Sequence, residues 1–279
     1  REAHPGFSIR SEMETNQDRI GFAARLILDN IGIQTTLNEP TYLDQMLEKF
    51  GLTFPTTSVF SSFARESFSD LELKENPDVA LLTWMEREEV LFRTFETHLL
   101  NERLQQTALA PEPIMRRAMS FLQRRRSRAG AAFENHLEEI FRQNDICYTR
   151  GGYTEGRQKP DFLFPSIQHY HDPNFPEICL TMLAAKTTCK DRWRQILPEA
   201  ARIPEKHLAT LEPSISEKQT EEMAEMGVRL VLPLELHATY LPSQQKQLLN
   251  VTDFIALAKQ RQAAGRSASP RETITRWRG

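Results

Sequence analysis

Apolar residues recur at helical spacing through the first hundred positions. Ile20, Ala23, Ala24, Leu26, Ile27 and Ile31 line one face of a first predicted helix, and residues 42–50 predict a short second one. Asn76-Pro77-Asp78 is a helix-start signal, with proline in the first turn and an acid at the positive end. Behind it, residues 79–104 carry Leu81, Leu82, Met85, Val90, Leu91, Phe92 and Phe95 among charges, the pattern of a long amphipathic helix. Two prolines within residues 108–113 read as a linker. Residues 1–112 are therefore expected to form an N-terminal helical subdomain.

Beyond the linker the rhythm changes. Phe133, Leu137, Ile140 and Phe141 mark a helix that follows the arginine-rich residues 123–130. Phe162-Leu163-Phe164 is an apolar run closed by prolines at 160 and 165, and residues 178–186 are mostly apolar and small, so both predict strands. Residues 194–203 suggest a helix, 207–211 a strand, 217–226 a helix and 228–232 a strand ended by Pro233. Strands alternating with helices predict an α/β domain with a central mixed sheet over residues 113–265. Residues 266–279 read as a flexible basic tail.

Composition agrees with a folded chain: 39% of the 279 residues are hydrophobic, 26% are charged, and 16 Phe supply a core. No apolar run is long enough for a membrane span, and the first eleven residues lack a secretory signal pattern. Cys147, Cys179 and Cys189 are too few for a disulfide framework, so a reducing cytoplasm is the expected setting. The net charge of −3 conceals strong segregation. Residues 65–103 hold ten acids and five bases, whereas residues 116–128 hold six arginines and no acid. Local basic patches of this kind suit DNA, because neutralised phosphates release counterions; a solvated helix face is the plain alternative for any one run. Arg126 and Arg128 are candidate DNA-binding residues on that account.

Several chemistries are excluded by motif. There is no G-x-S-x-G elbow, no P-loop and no G-x-G-x-x-G turn. Cys147, His169, His171, Cys179 and Cys189 lack the close pairing of a structural zinc site. What remains is a set of charges. Asp161 heads an apolar strand, Lys186 ends the next one, Glu199 follows 13 residues later, and Glu134 lies on the preceding helix. Carboxylates converging from separate elements suit a hard divalent cation, and a lysine beside them can orient a water or stabilise phosphate charge. Surface carboxylates and a strand-end lysine would carry the same spacing.

The surrounding strings decide between these readings. Lys159-Pro160-Asp161-Phe162-Leu163-Phe164-Pro165-Ser166 and Ala185-Lys186-Thr187-Thr188-Cys189-Lys190-Asp191-Arg192-Trp193-Arg194-Gln195 closely resemble the catalytic domain of EcoRII-type restriction endonucleases. These belong to the PD-(D/E)xK superfamily, with SsoII-, PspGI- and NgoMIV-type enzymes as more distant kin. The resemblance also takes in residues 127–130 with Glu134, residues 207–211 and residues 227–231, and runs from about Asn76 to Lys259. It implies a restriction-endonuclease-like core with Asp161 as a metal ligand and Lys186 as the catalytic lysine. Ala184 stands where the motif has its second carboxylate, so that role falls to Glu199, with Glu134 as an additional acid. It further implies that Lys190, Asp191 and Arg192 read the CC/GG part of the site, Lys190 standing where relatives often have Arg.

By the same resemblance the activity is Mg²⁺-dependent cleavage of both strands of double-stranded DNA at a palindromic site built on CCNGG or CCGG, leaving 5′-phosphates. A homodimer is implied, with a cognate methyltransferase in the same bacterial or archaeal cell; the N-terminal helices, whose first 75 residues have no counterpart in the family, are expected to serve dimerisation or DNA contacts. Relatives extrude central nucleotides, and Trp84, on the helix opened by Asn76, is the candidate stacking platform, though core packing is the commoner use of such a tryptophan. Two other readings of the core are a structure-specific repair or junction nuclease and a DNA-binding regulator without catalysis. The intact acid–lysine set argues against the second.

Overall fold

The computed structural model describes residues 42–67, 75–105 and 111–268. The helix expected near Ile20 and nearly all of the basic tail lie outside these residues. Among the described residues, four helices precede the sheet: α1 (Leu43–Phe50), α2 (Thr57–Glu66), α3 (Pro77–Gln105) and α4 (Pro111–Gln143). Asn76 caps α3 as its sequence suggests, its Oδ1 accepting the Val79 N–H at 3.2 Å. Residues 111–113 are not linker. Pro111 opens α4 and Pro113 sits in its first turn, where a missing N–H costs nothing, so the arginine-rich stretch and the helix after it are one element of 33 residues.

A five-stranded sheet follows in the order β1 (Thr149–Arg150), β2 (Phe162–Phe164), β3 (Thr181–Ala185), β4 (Lys206–Ala209) and β5 (Val228–Val231). β1 through β3 are antiparallel, whereas β3, β4 and β5 are parallel, giving the mixed sheet predicted. Between and after the strands lie α5 (Ile167–His171), α6 (Glu217–Glu225), α7 (Leu234–His237), α8 (Pro242–Gln245) and α9 (Val251–Ala268). β2 and β3 are buried at every position, which explains their unbroken apolar runs. Phe141 of α4 meets the Phe162 and Phe164 rings edge-on at 5.2 Å, and Phe254 of α9 meets Phe164 at 5.6 Å. Gly227 turns α6 into β5 at φ +72°, and a Cβ there would lie 2.9 Å from the Pro204 carbonyl oxygen.

The helix expected over residues 194–203 does not form. A single 3-10 turn, Trp193–Ile196, gives way to irregular backbone, because Pro198 supplies no N–H and Ala200 adopts φ +47°.

Two hydrophobic cores share α3. Ala80, Leu81, Leu82, Trp84 and Met85 join the core around the sheet, while Leu91, Phe92, Phe95 and Leu99 pack with Met46, Phe60, Phe63 and Ala64 of the small helical module. The division between cores thus runs through the middle of α3 and not at residue 112. Asp78 fastens the start of α3 to the sheet side. Its carboxylate accepts from the N–H groups of Leu234 (3.2 Å), Val251 (2.8 Å) and Thr252 (3.1 Å) and from the Thr252 hydroxyl (2.6 Å), so it caps α9.

Candidate active site

The β2–β3 register pairs Phe162 with Leu183, which carries Asp161 opposite Ala184 at the open end of the sheet. Asp161 Oδ2 accepts the Ala185 N–H at 2.7 Å and the Lys186 ammonium at 2.9 Å. Lys186 is held in turn by its own N–H, which extends the parallel ladder to the Ala209 carbonyl at 2.9 Å. Two residues far apart in sequence are therefore fixed by sheet hydrogen bonding. Ala184, fully buried, leaves no carboxylate on β3 itself.

Glu199 reaches this point from the irregular loop after the 3-10 turn. The buried Lys206 ammonium, at the start of β4, binds the carbonyls of Glu199 (2.5 Å) and Ala200 (2.7 Å), and Thr154 Oγ1 accepts the Ala200 N–H at 3.3 Å. Burial, then the charge of Asp161, pushes the Glu199 carboxyl up to about 7, against the opposing pull of Lys186 and Lys206. Its Oε2 is buried with no hydrogen-bond partner among the described residues. Glu134 of α4 is also raised, first by burial and then by Asp161, while Arg150 of β1 restrains the rise with a 2.9 Å bond to Oε2. Glu134, Asp161 and Glu199 thus lie in one field together with Lys186.

Among the described residues no three His, Cys, Asp or Glu side chains are grouped tightly enough to hold an ion alone. That includes Cys147, His169, His171, Cys179 and Cys189. Asp161 and Glu199 offer two carboxylates, one with an unpartnered buried oxygen, and this donor set fits Mg²⁺, which is held by one or two carboxylates and completed by water and substrate phosphate.

Lys190, Asp191 and Arg192 stand exposed on the turn directly beyond Lys186. Arg192 Nη2 donates to the Thr188 carbonyl (2.7 Å) and hydroxyl (3.0 Å), and Lys190 Nζ lies 3.6 Å from Glu212. Two of the proposed DNA contacts are placed elsewhere. Trp84 is only 5% exposed, with the Arg65 guanidinium 5.9 Å and the His136 ring 5.8 Å from its ring, so it presents no face to a base. Leu81, Trp84, Met85 and Glu88 follow the i, i+3, i+4, i+7 pattern and share the buried face of α3. Arg128 is spent internally as well: its guanidinium lies 4.3 Å over Phe54 and bonds the Pro55 carbonyl at 2.8 Å. The Arg126 side chain lies outside the described residues. Arg150 and Lys206 were not singled out in the sequence, since a lone basic residue on a short strand carries no pattern.

A mixed sheet that delivers an aspartate and a lysine to one open end is the frame of restriction endonucleases. The substrate-DNA complex of the restriction endonuclease PspGI superposes with a TM-score of 0.64 at 16% identity, covering 76% of this chain and 94% of that one. Metal-depleted Ecl18kI with uncleaved, modified DNA gives 0.63 at 21% identity, over 84% and 87% of the two chains. Residues 92–255 match the family described as EcoRII C terminal, and the chain belongs to that family. It is 38% identical over 231 residues to the type II restriction enzyme EcoRII of Escherichia coli, covering 82% of this chain and 56% of that protein. It is 31% identical over 135 residues to the type II restriction enzyme SsoII of Shigella sonnei, covering 45% and 43%. The chain spans about half the length of these relatives.

Proposed function

We propose that this chain is a Mg²⁺-dependent type II restriction endonuclease that cuts both strands of DNA at a palindromic site containing CCNGG or CCGG and leaves 5′-phosphates. The observation that carries the reading is the 2.9 Å bond of Lys186 to Asp161 beside the unpartnered, buried Glu199 Oε2, within a chain of the EcoRII C-terminal family. Asp161 and Glu199 would hold the metal, which when bound supplies Lewis acidity toward the scissile phosphate. Lys186 orients the attacking water and offsets the negative charge that builds on the phosphate. Glu134, kept near the site by Arg150, supports the same charge balance.

Lys190, Asp191 and Arg192 are read as the base contacts. Lysine and arginine donate to guanine O6 and N7, and a carboxylate accepts from cytosine N4. Their exposure at a turn that begins four residues beyond Lys186 supports that use. A palindromic site calls for a twofold homodimer with one active site per strand. Extrusion of central nucleotides stays in the reading, with a platform other than Trp84. The setting is a bacterial cytoplasm that also holds a methyltransferase protecting the host site.

The test is digestion of an unmethylated plasmid with Mg²⁺, followed by sequencing of the fragment ends. Discrete fragments sharing one CCNGG or CCGG sequence and 5′-phosphates are expected. Random nicking, or no cleavage with Mg²⁺, would overturn the reading.

A further inference from the structure

Glu212 is a buried carboxylate, 4% exposed, three residues beyond Ala209, which with Ala185 forms the last pair of β3 and β4. Past Ala209 the chain no longer forms a regular ladder, yet it keeps beside the segment that leads out of β3. The Leu211 N–H and the Thr210 hydroxyl both donate to the Thr187 carbonyl at 3.3 Å. Glu212 takes over from there. Its Oε2 accepts the N–H groups of Cys189 at 2.6 Å and Lys190 at 2.9 Å, and its Oε1 lies 3.6 Å from the Lys190 ammonium.

Glu212 is itself fixed from behind. Its N–H donates to Thr210 Oγ1 at 3.2 Å, and its carbonyl accepts the Tyr240 hydroxyl at 2.6 Å. The turn it grips is closed by the Arg192 and Trp193 N–H groups, both donating to the Cys189 carbonyl at 2.9 Å, and is pinned by the fully buried Trp193. The Cys189 and Lys190 N–H groups and the Lys190 ammonium meet the carboxylate, while Lys190, Asp191 and Arg192 remain exposed to solvent.

We propose that Glu212 is a specificity-positioning residue: its carboxylate sets the height and orientation of the 189–192 turn relative to Lys186, and its second oxygen holds the Lys190 ammonium in place for base contact. This rests on the reading of Lys190, Asp191 and Arg192 as base contacts. A carboxylate that grips two successive N–H groups determines where three reader side chains begin. A neutral amide of the same size has one acceptor oxygen: placed on the two N–H groups it is uncharged, and the NH₂ that replaces the second oxygen then faces the Lys190 ammonium and cannot hold it.

The experiment compares Glu212→Gln with the wild type on duplexes carrying the sequence found at the cleaved ends and on duplexes with that sequence scrambled. Binding is measured with Ca²⁺ in place of Mg²⁺, and Lys190→Met is made alone and combined with Glu212→Gln. Preference for the cognate duplex should fall about ten- to hundredfold, the loss of one good base contact or more, with scrambled binding and melting temperature close to wild type. The two substitutions should be non-additive, since Lys190→Met removes a contact that Glu212→Gln has already displaced. Should Glu212→Gln fail to fold, Glu212→Asp, which keeps the charge but withdraws the oxygens by one methylene, takes its place with the same expected loss. Equal losses on cognate and scrambled DNA, or independent effects of the two substitutions, would make Glu212 a structural acid and overturn the proposal. A wild type without any cognate preference overturns the endonuclease reading together with it; a normal wild-type preference left intact by Glu212→Gln overturns the role of Glu212 alone.

Discussion

Arg150 Nη2 donates to Glu134 Oε2 at 2.9 Å, and its Nη1 donates to Glu138 at 2.5 Å and to Asn135 Oδ1 at 2.9 Å. One guanidinium therefore counters the rise that burial and Asp161 impose on Glu134, and Asn135 continues the connection to Ser61 of α2 at 3.0 Å. Replacing Arg150 by Met should let the Glu134 carboxyl rise further than burial and Asp161 already lift it. Below that raised value the ionised fraction drops about tenfold per pH unit. Single-turnover cleavage should weaken most at low pH and recover toward alkaline pH. A uniform loss at all pH values would mean that Arg150 acts on something other than this charge.

Asp161→Ala, Lys186→Ala and Glu199→Ala should each lower the cleavage rate by about a hundredfold or more, while binding to the cognate duplex remains measurable. Binding rests on phosphate and base contacts that these changes leave in place. Near-wild-type cutting by Glu199→Ala would show that the displaced carboxylate is elsewhere.

Glu199 is pushed up to about 7 by burial and by Asp161, so near neutral pH a proton competes with a metal ion for the site. Cleavage at limiting Mg²⁺ should rise as the pH passes through that region. A tenfold increase in Mg²⁺ should move the rise toward acid by about one unit at most. Stopped assays over a pH and Mg²⁺ grid measure this directly; a profile insensitive to Mg²⁺ would contradict it.

Arg192→Ala should weaken cognate binding about five- to 150-fold, the worth of one bidentate base contact, and change non-specific binding much less. Competition titrations with cognate and random duplexes give both numbers. Equal weakening would reduce Arg192 to a phosphate contact.

His207 of β4 is fully buried against the Phe254 ring, and burial pulls its imidazole down to about 4, despite Glu205 at 3.6 Å. The folded protein therefore binds this proton less readily than the unfolded chain, whose histidine titrates near 6.5. Stability from this group is fully present above about pH 6.5 and is lost as the pH falls toward 4, on the order of 3 kcal/mol at most. Urea midpoints at a series of pH values across this window should fall accordingly, and the slope should flatten in His207→Gln.

Legibility in the sequence followed how local each cause was. The start of α3 at Asn76-Pro77 and the strand Phe162–Phe164 between prolines are local signals, and the structure contains both. Asp161 and Lys186 were recognisable from their strings, although nothing in the spacing alone says that their side chains touch. The loop of Glu199 departs from the helix suggested over residues 194–203 because Pro198 and the left-handed Ala200 break it after one 3-10 turn. Trp84 enters as a stacking candidate through the resemblance alone, against its commoner use in a core, and Arg128 through the local run of arginines. Their partners, Arg65 and His136 for one and Phe54 for the other, come from distant segments. Glu212 and Arg150 carry no motif; their roles arise from hydrogen bonds across 22 and 16 positions.

The sharing of α3 has a thermodynamic consequence. Leu81, Trp84 and Met85 serve the sheet, Leu91, Phe92 and Phe95 serve the helical module, and Asp78 closes the N-terminus of α9. Melting either core removes the packing of one half of α3 and weakens the helix that forms a wall of the other. Such coupling favours a single cooperative transition over two separate ones. Calorimetry should show one endotherm, and a fragment begun at residue 113 should lack the wall that the sheet core draws from α3.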